Sequence, residues 1–279
     1  MNLTLGFSPC PNDTYIFDAL VHQKVDTEGL EFDYFMADVE ELNRKAFNEG
    51  PDVTKVSFHA FLHLAGNYLL LDSGAALGFG AGPLVVSREL QDFKELRGKK
   101  VAIPGRYTTA NLLFSLAMKE PVLKKEMLFS DIENAVITGE MNAGVIIHEG
   151  RFTYTSKGLH KLIDLGEFWE QLTGSPVPLG GIVVHKRIGN EVIEKIQRSL
   201  RRSVEYANQH KGELNEFIRC NAQEMDESVM QKHIDLYVNE FSVDLGSVGK
   251  NAVNIMFEYA INANLIDKMP EFIYASQLK

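Results

Sequence analysis

Short apolar segments alternate with helical patterns along the first 65 residues, and this alternation restricts the chain to a small set of folds. Three segments, residues 3–7, 30–36 and 53–57, have the composition of β-strands. Each is followed by a segment with helical features, namely residues 12–20, 39–49 and 58–65. Strands that alternate with helices in this way predict a mainly parallel sheet covered by helices, which is an α/β fold.

A glycine-rich stretch at residues 74–82 ends this first series, and a second strand–helix series follows it. The second series contains a strand at 101–103, helices at 109–117 and 130–138, and a strand that ends at His148. We interpret the apolar runs at 83–87 and 182–185 as two crossover strands that form a hinge. The sequence therefore predicts a discontinuous large lobe, residues 1–88 plus 181–279, and a small lobe, residues 89–180, with a ligand-binding cleft between them.

The C-terminal part of the chain has apolar residues at helical spacing, which predicts helices packed on the large lobe. The three apolar stripes are Val192, Ile193, Ile196, Leu200, Val204 and Ala207; Met230, Ile234, Tyr237 and Phe241; and Val248, Ala252, Ile255, Met256, Tyr259 and Ala263.

The charge of the chain excludes several classes of partner. Lys and Arg number 28 against 38 Asp and Glu, which gives a formal charge of −10 and repels phosphate backbones and anionic lipids. No segment has the ~18 consecutive apolar residues of a membrane span. The first residues lack the basic and apolar regions of a secretory signal, so we expect a cytoplasmic protein with no nucleic acid or membrane partner. Cys10 and Cys220 are expected to be free thiols.

His148 is the first candidate catalytic residue, because it stands where an apolar strand gives way to a glycine-containing loop. Ligands of open α/β sheets bind outside the carboxyl ends of strands. The ordinary pKa of histidine, about 6.5, suits proton transfer near neutral pH. The same position also fits a histidine that only caps a strand by bonding to nearby backbone.

Two further segments are expected to face the cleft from opposite lobes. Residues Lys55, Val56 and Ser57 end the third strand, and residues 105–110 follow the first strand of the small lobe. Thr108 or Thr109 would lie at a helix N-terminus, where backbone N–H groups and the helix dipole favour an anion such as a carboxylate. A plain N-cap without a ligand explains Thr109 equally well.

Cofactor motifs are missing from the sequence. His59 and His63 have the spacing of a helical metal pair, but neither the intervening glutamate nor a third ligand is apparent. The glycines at 78, 80 and 82 do not have the spacing of a dinucleotide-binding loop, and no phosphate-binding loop occurs. We therefore expect no metal and no cofactor.

Taken together, five motifs resemble those of one family, the 1,4-dihydroxy-6-naphthoate synthases of the futalosine route to menaquinone. They are Ser8-Pro9-Cys10-Pro11-Asn12-Asp13-Thr14, Lys55-Val56-Ser57, Thr109-Ala110, His148-Glu149-Gly150-Arg151 and Pro178-Leu179-Gly180-Gly181-Ile182. The resemblance extends over essentially the whole chain.

This resemblance implies a two-lobed type II periplasmic-binding-protein-like fold and a carbon–carbon lyase that needs no cofactor. The implied reaction converts cyclic dehypoxanthine futalosine, a small-molecule carboxylate, to 1,4-dihydroxy-6-naphthoate. By position, His148 corresponds to the proton acceptor of the family. The substrate-binding residues of the family correspond to Lys55, Val56, Ser57, Thr109 and Ala110.

Two other functions compete with this one. The same fold serves solute-binding proteins that only capture a small organic anion, although the absence of a signal segment and the presence of His148 argue against that function. The fold-related chorismate dehydratase is a second cofactor-free alternative, and its resemblance to the N-terminal segment is weaker.

Overall fold

The chain forms two compact units, each with its own β-sheet and its own apolar core. The structure is a computed structural model that describes residues 1–48, 50–223, 226–269, 271 and 273–278. The first unit comprises Met1–Gly78 and Pro178–Lys279, and the second comprises Phe79–Val177.

Eleven strands occur in the described residues. They are β1 (Asn2–Phe7), β2 (Glu31–Met36), β3 (Val53–Ser57), β4 (Tyr68–Leu70), β5 (Ala76–Gly78), β6 (Leu84–Ser87), β7 (Lys100–Ile103), β8 (Leu123–Glu126), β9 (Ala143–Ile146), β10 (His160–Asp164) and β11 (Val177–His185).

Twelve α-helices accompany these strands in the same described ranges. They are α1 (Pro11–Val21), α2 (Val39–Phe47), α3 (Phe58–Leu64), α4 (Thr109–Ala117), α5 (Phe129–Ile137), α6 (Gly150–Thr153), α7 (Leu165–Thr173), α8 (Asn190–Gln209), α9 (Glu216–Asn221), α10 (Glu227–Tyr237), α11 (Glu240–Val243) and α12 (Gly246–Asn262).

The sheet of the first unit has the order β2-β1-β3-β11-β4, and β5 pairs with β11. Strands β2, β1 and β3 are parallel, as predicted from the strand–helix alternation. Strand β11 is antiparallel to both β3 and β4, so the complete sheet is mixed. Its register places Gly180 opposite Ser57 and Ile182 opposite Lys55.

Helix α1 connects the end of β1 to the helical layer of the first unit. Pro11 occupies its first turn, where the missing N–H of proline costs no hydrogen bond. The helix is buried along most of its length and packs against α8, α9 and α10. The Tyr15 hydroxyl donates to the Ala207 carbonyl at 2.7 Å, and burial raises the pKa of Tyr15 to about 12, so the hydroxyl stays a neutral donor at pH 7.

The sheet of the second unit has the order β10-β6-β9-β7-β8. Strand β6 is antiparallel to β9 and β10, and β7 is parallel to β8 and β9. The run at 83–87 that we interpreted as a crossover strand thus supplies a strand of the second sheet. The division between the units falls at Gly78, where the sequence suggested residue 88, and at Val177, where it suggested residue 180.

The helical stripes of the C-terminal part are confirmed in α8 and differ in α10 and α12. The predicted second stripe is interrupted after Tyr237, because Asn239 accepts a hydrogen bond from the Phe241 amide and starts the new helix α11. In α12 the placement of Val248 on the buried face is wrong, since this side chain is 56% exposed. The buried face is shifted by one residue and is formed by Gly249, Ala252, Val253, Met256, Phe257 and Ala260.

In the parts of the chain that are described, every helix is too short or too polar to cross a lipid bilayer.

Candidate active site

The N-terminal motif forms the turn after β1 and the first turn of α1, and Ser8 and Asn12 both donate to Asp13. The Asp13 Oδ2 atom accepts hydrogen bonds from the Ser8 amide at 3.1 Å and from the Ser8 hydroxyl at 2.8 Å. The Oδ1 atom accepts from the Asn12 side-chain amide at 2.8 Å. Asp13 also stands in the first turn of α1, where the helix dipole favours a negative charge.

Lys55 extends from β3 to the same carboxylate. Its Nζ atom lies 2.8 Å from Asp13 Oδ1, and the two side chains are 7% and 1% exposed. Because β3 runs parallel to β1, the end of β3 and the turn after β1 lie at the same edge of the sheet. The structure therefore joins two of the family motifs through a buried ion pair, which the sequence analysis did not predict.

Ser57 is fixed by a neighbouring helix. The Ser57 amide donates to Asn43 Oδ1 at 2.9 Å, and Asn43 Nδ2 donates to the Ser57 hydroxyl at 3.2 Å. Asn43 also donates to Glu40 Oε2 at 3.2 Å, so a buried polar network on α2 holds the end of β3. The sequence analysis missed Asn43 and Glu40, since both sit on an amphipathic helix whose polar residues are ordinarily solvated.

Val56 and Gly180, which belong to the second and the fifth of the family motifs, lie next to Lys55. Val56 is completely buried in the core, and it pairs with Gly181 of β11. A Cβ atom at Gly180 would lie 3.0 Å from the Val56 carbonyl oxygen and 3.1 Å from Lys55 Cε. A glycine at this position therefore leaves the room that the Lys55 side chain occupies.

In the second unit, α4 starts at Thr109, as predicted. The N-cap is Thr108, whose hydroxyl oxygen accepts from the Asn111 amide at 3.2 Å and donates to the Gly105 carbonyl at 2.9 Å. Thr109 is thus the first helical residue and not the cap. Thr109 and Ala110 are buried, and their amides belong to the first turn, whose N–H groups have no acceptor within a helix.

His148 lies in the turn after β9, which ends two residues earlier at Ile146. Its φ angle is +56°, a left-handed conformation that is uncommon for residues other than glycine. The imidazole is half-buried and contacts the Phe129 ring edge to face, with ring centroids 4.8 Å apart. Backbone in sparsely populated regions often occurs at functional sites, where the surrounding structure maintains it.

Arg151 anchors the turn that carries His148. Its amide donates to the His148 carbonyl at 3.4 Å. Its guanidinium donates to the Gly82 carbonyl at 2.6 Å and to Asp164 Oδ2 at 2.7 Å. The other Asp164 oxygen, Oδ1, caps α7 through the amides of Gly166 and Glu167. This clamp was also missed, since nothing in the sequence relates residue 151 to residue 164.

His59 and His63 were considered as a metal-binding pair and Cys10 as a nucleophile. The His59 and His63 rings are 5.7 Å apart between centroids. Over the described ranges, no group of three or more His, Cys, Asp or Glu residues is arranged to hold a metal ion. Cys10 is buried, Cys220 is exposed, and both are free thiols, as predicted.

Comparison with known proteins identifies relatives along the whole chain. A family model described as menaquinone biosynthesis matches residues 3–262. A 1,4-dihydroxy-6-naphtoate synthase from Thermus thermophilus is 42% identical over 272 residues, which cover 98% of each chain. A protein of the same name from Streptomyces coelicolor is 40% identical over 269 residues, which cover 95% of this chain and 94% of the relative.

Solved structures agree on the fold. A protein from Archaeoglobus fulgidus superimposes with a TM-score of 0.89 at 36% identity and covers 95% of this chain and 98% of its own. The alkanesulfonate-binding protein from Xanthomonas axonopodis pv. citri, bound to MOPS, has a TM-score of 0.72 at 12% identity, with 99% and 96% of the two chains covered. A Candida albicans protein described as having the generic periplasmic binding protein fold has a TM-score of 0.66 at 12% identity, with 98% and 93% covered.

The predicted periplasmic-binding-protein-like fold is therefore confirmed, and at 12% identity the binding proteins inform on the fold alone. The family model and two relatives with at least 40% identity show that this chain belongs to the menaquinone-biosynthesis family of the 1,4-dihydroxy-6-naphthoate synthases.

Proposed function

We propose that the chain is a cytoplasmic carbon–carbon lyase that converts cyclic dehypoxanthine futalosine to 1,4-dihydroxy-6-naphthoate without a cofactor. Family membership supports this proposal, since the relatives that match nearly the whole chain are named for this product. In this proposal His148 is the proton acceptor, and the substrate contacts are Lys55, Val56, Ser57, Thr109 and Ala110.

The observation that carries the role of His148 is its backbone conformation. His148 combines a titratable ring with a left-handed backbone, two residues beyond the end of β9, at the edge where α/β sheets bind ligands. The Arg151 clamp to Gly82 and Asp164 supports this conformation. Both features are expected of a base that must be held in one orientation towards its substrate.

The proposed chemistry uses the base and the placement of the substrate. A neutral imidazole takes a proton from a carbon beside a carbonyl or a ring junction, and the electrons of that C–H bond form a ring double bond. The electron pair of the broken carbon–carbon bond leaves with the sugar-derived fragment, which takes the proton back from the imidazolium. Formation of the aromatic product supplies driving force. The Lys55 ammonium and the Ser57 hydroxyl supply donors for the substrate carboxylate, and Thr109, Val56 and Ala110 are further substrate contacts.

The test of the activity is incubation of the purified protein with cyclic dehypoxanthine futalosine, followed by detection of the naphthoate product by mass spectrometry. Chorismate is the matched control substrate. Formation of naphthoate from the first substrate and no dehydration of the second supports the proposal. Dehydration of chorismate, or binding of the first substrate without turnover, contradicts it and favours one of the two alternative functions.

The role of His148 is tested with substitutions that suit its left-handed backbone. Asparagine and glycine tolerate this conformation, so His148→Asn and His148→Gly should fold normally while removing the base. We expect kcat to fall by roughly 100-fold or more in both variants. Added imidazole should restore part of the activity of His148→Gly and none of that of His148→Asn, whose side chain fills the space. Near-normal turnover by either variant would show that His148 is not the base.

A further inference from the structure

Asp13 is the centre of the N-terminal motif, yet the function proposed above assigns it no task. Its carboxylate accepts four hydrogen bonds: two from Ser8, one from Asn12 and one from Lys55. An ionised carboxylate offers about four acceptor positions. Asp13 therefore has no acceptor position left for a ligand, and any effect on a substrate must pass through the groups that it holds.

Lys55 is the one charged group among these donors. Its ammonium has three N–H groups, and one of them is used by Asp13. Among the described residues, no second acceptor lies within hydrogen-bonding distance of Lys55 Nζ, although the side chain is only 7% exposed. Buried donors without acceptors are costly, so this ammonium is suited to receive an additional acceptor from a ligand.

The position of Lys55 in its strand places it beside a second donor. Lys55 and Ser57 are two residues apart on β3, so their side chains lie on the same face of the sheet, whereas Val56 points into the core on the other face. Gly180 lies opposite Ser57, and its missing side chain leaves the room that Lys55 Cε occupies. An ammonium and a hydroxyl are thus placed side by side near the carboxyl end of a parallel strand, where α/β proteins bind ligands.

We propose that Asp13 is a positioning residue that fixes the Lys55 ammonium so that its two remaining N–H groups bind the carboxylate of the substrate. A purely stabilising role is a poor explanation of the pair, because a buried ion pair is often no more stabilising than apolar residues of the same volume. The inference rests on the proposed function, since it concerns the carboxylate of the naphthoate and of its precursor.

The decisive variant is Asp13→Asn, which keeps the size of the side chain but removes its charge and replaces one of its two acceptor oxygens by an NH2 donor. We would titrate each protein calorimetrically with 1,4-dihydroxy-6-naphthoate and with the carboxamide of the same compound. The affinity for the acid should fall by about 10-fold to 100-fold, because a charge-assisted hydrogen bond is misplaced, and the affinity for the amide should stay unchanged. With the substrate, KM should rise by a similar factor while kcat changes by less than about threefold.

Two further variants separate positioning from general stability. If Asp13 acts through Lys55, the double variant Asp13→Asn/Lys55→Met should bind the acid no more weakly than Lys55→Met alone. The matched control is Asp72→Asn, since Asp72 is another largely buried carboxylate of the first unit and is paired with Lys250 at 3.1 Å. Asp72→Asn should lower the melting temperature and leave the preference for the acid over the amide intact.

The outcomes distinguish this inference from the proposed function. The inference alone is overturned if the wild-type protein makes naphthoate and Asp13→Asn binds the acid with wild-type affinity. It is also overturned if the wild-type protein makes naphthoate and Asp13→Asn loses affinity for the acid and the amide equally. A wild-type protein without turnover overturns the proposed function, and Asp13-dependent preference for the acid then still supports the inference. Absence of both turnover and acid binding overturns both. If Asp13→Asn does not fold, Lys55→Met carries the test, and an undiminished preference for the acid overturns the inference.

Discussion

Replacement of Arg151 by methionine should destabilise the second unit by about 3 kcal/mol and impair catalysis through His148. Arg151 and Asp164 form a partly buried ion pair, with side chains 18% and 1% exposed. Removal of one partner of such a pair typically costs about 3–5 kcal/mol, because the other charge is left uncompensated. The lower end applies, since Asp164 Oδ1 keeps two amide donors at the start of α7 and methionine retains the apolar stem of arginine.

The catalytic effect follows from the other contacts of Arg151. Its amide bonds to the His148 carbonyl, and its guanidinium ties the same turn to the Gly82 carbonyl. Without the clamp, the left-handed turn at His148 is free to relax towards a more common backbone conformation. Because a displacement of about 1 Å at a reacting group costs up to about 100-fold in rate, we expect kcat to fall by roughly 10-fold to 100-fold.

The chain offers a specific probe for the stability measurement. Its single tryptophan, Trp169, is buried in α7, the helix that Asp164 caps, so tryptophan fluorescence during urea unfolding reports on the second unit. The matched control is Lys125→Met, which removes an exposed ion pair to Glu140 in the same unit. This control should change the free energy of unfolding by less than about 1 kcal/mol. An Arg151→Met variant that is no less stable than Lys125→Met would refute the reasoning.

Three further predictions concern ligand binding, pH and metal ions. Ser57→Ala and Thr109→Val should each weaken binding of the naphthoate by about 1–3 kcal/mol in calorimetric titrations, and wild-type affinity in both would remove these residues from the site. Burial raises the pKa of the Asp52 carboxyl, but hydrogen bonds from Thr4 and Arg187 outweigh it and hold the pKa below its usual value. Folding therefore stabilises the ionised carboxylate. The decrease in the free energy of unfolding caused by Asp52→Asn should be largest at neutral pH and should become smaller below about pH 4. A decrease that does not depend on pH would contradict this account. Exhaustive chelation should leave activity intact, whereas its loss and recovery with one divalent ion would show a metal requirement.

The local elements of the site were predictable because short-range rules determine them. The bounds of β3 and the start of α4 at Thr109 follow from apolar composition and from a threonine in front of a helical pattern. The placement of His148 after a strand follows from the change from apolar residues to a glycine-containing turn. These features depend on the nearest few residues, so one sequence suffices to find them.

The contacts that hold the site were not predictable, because they join residues far apart in the chain. The pairing of Lys55 with Asp13 depends on the parallel register of β3 beside β1. The pairing of Arg151 with Asp164 depends on the antiparallel pairing of β10 with β6, which places Asp164 opposite Leu84. The sequence of a short apolar strand does not identify the strand with which it pairs. For the same reason the sequence could not predict that the run at 83–87 pairs with β9 and β10 in the second sheet.

The two units support their proposed functional residues in the same physical way. In the first unit, Lys55 is oriented by the fully hydrogen-bonded carboxylate of Asp13, and in the second, the turn of His148 is held by Arg151 bound to Asp164. Both acidic partners are only 1% exposed, so each pair incurs a desolvation cost that an apolar pair avoids. What an ion pair provides in return is a fixed direction, because charge-assisted hydrogen bonds are short and directional whereas apolar contacts tolerate rotation. A fixed direction is what a carboxylate-binding ammonium and a carbon base both require. The specific N-terminal motif is thus best explained as the support of Lys55, and its own polar groups face inward to Asp13.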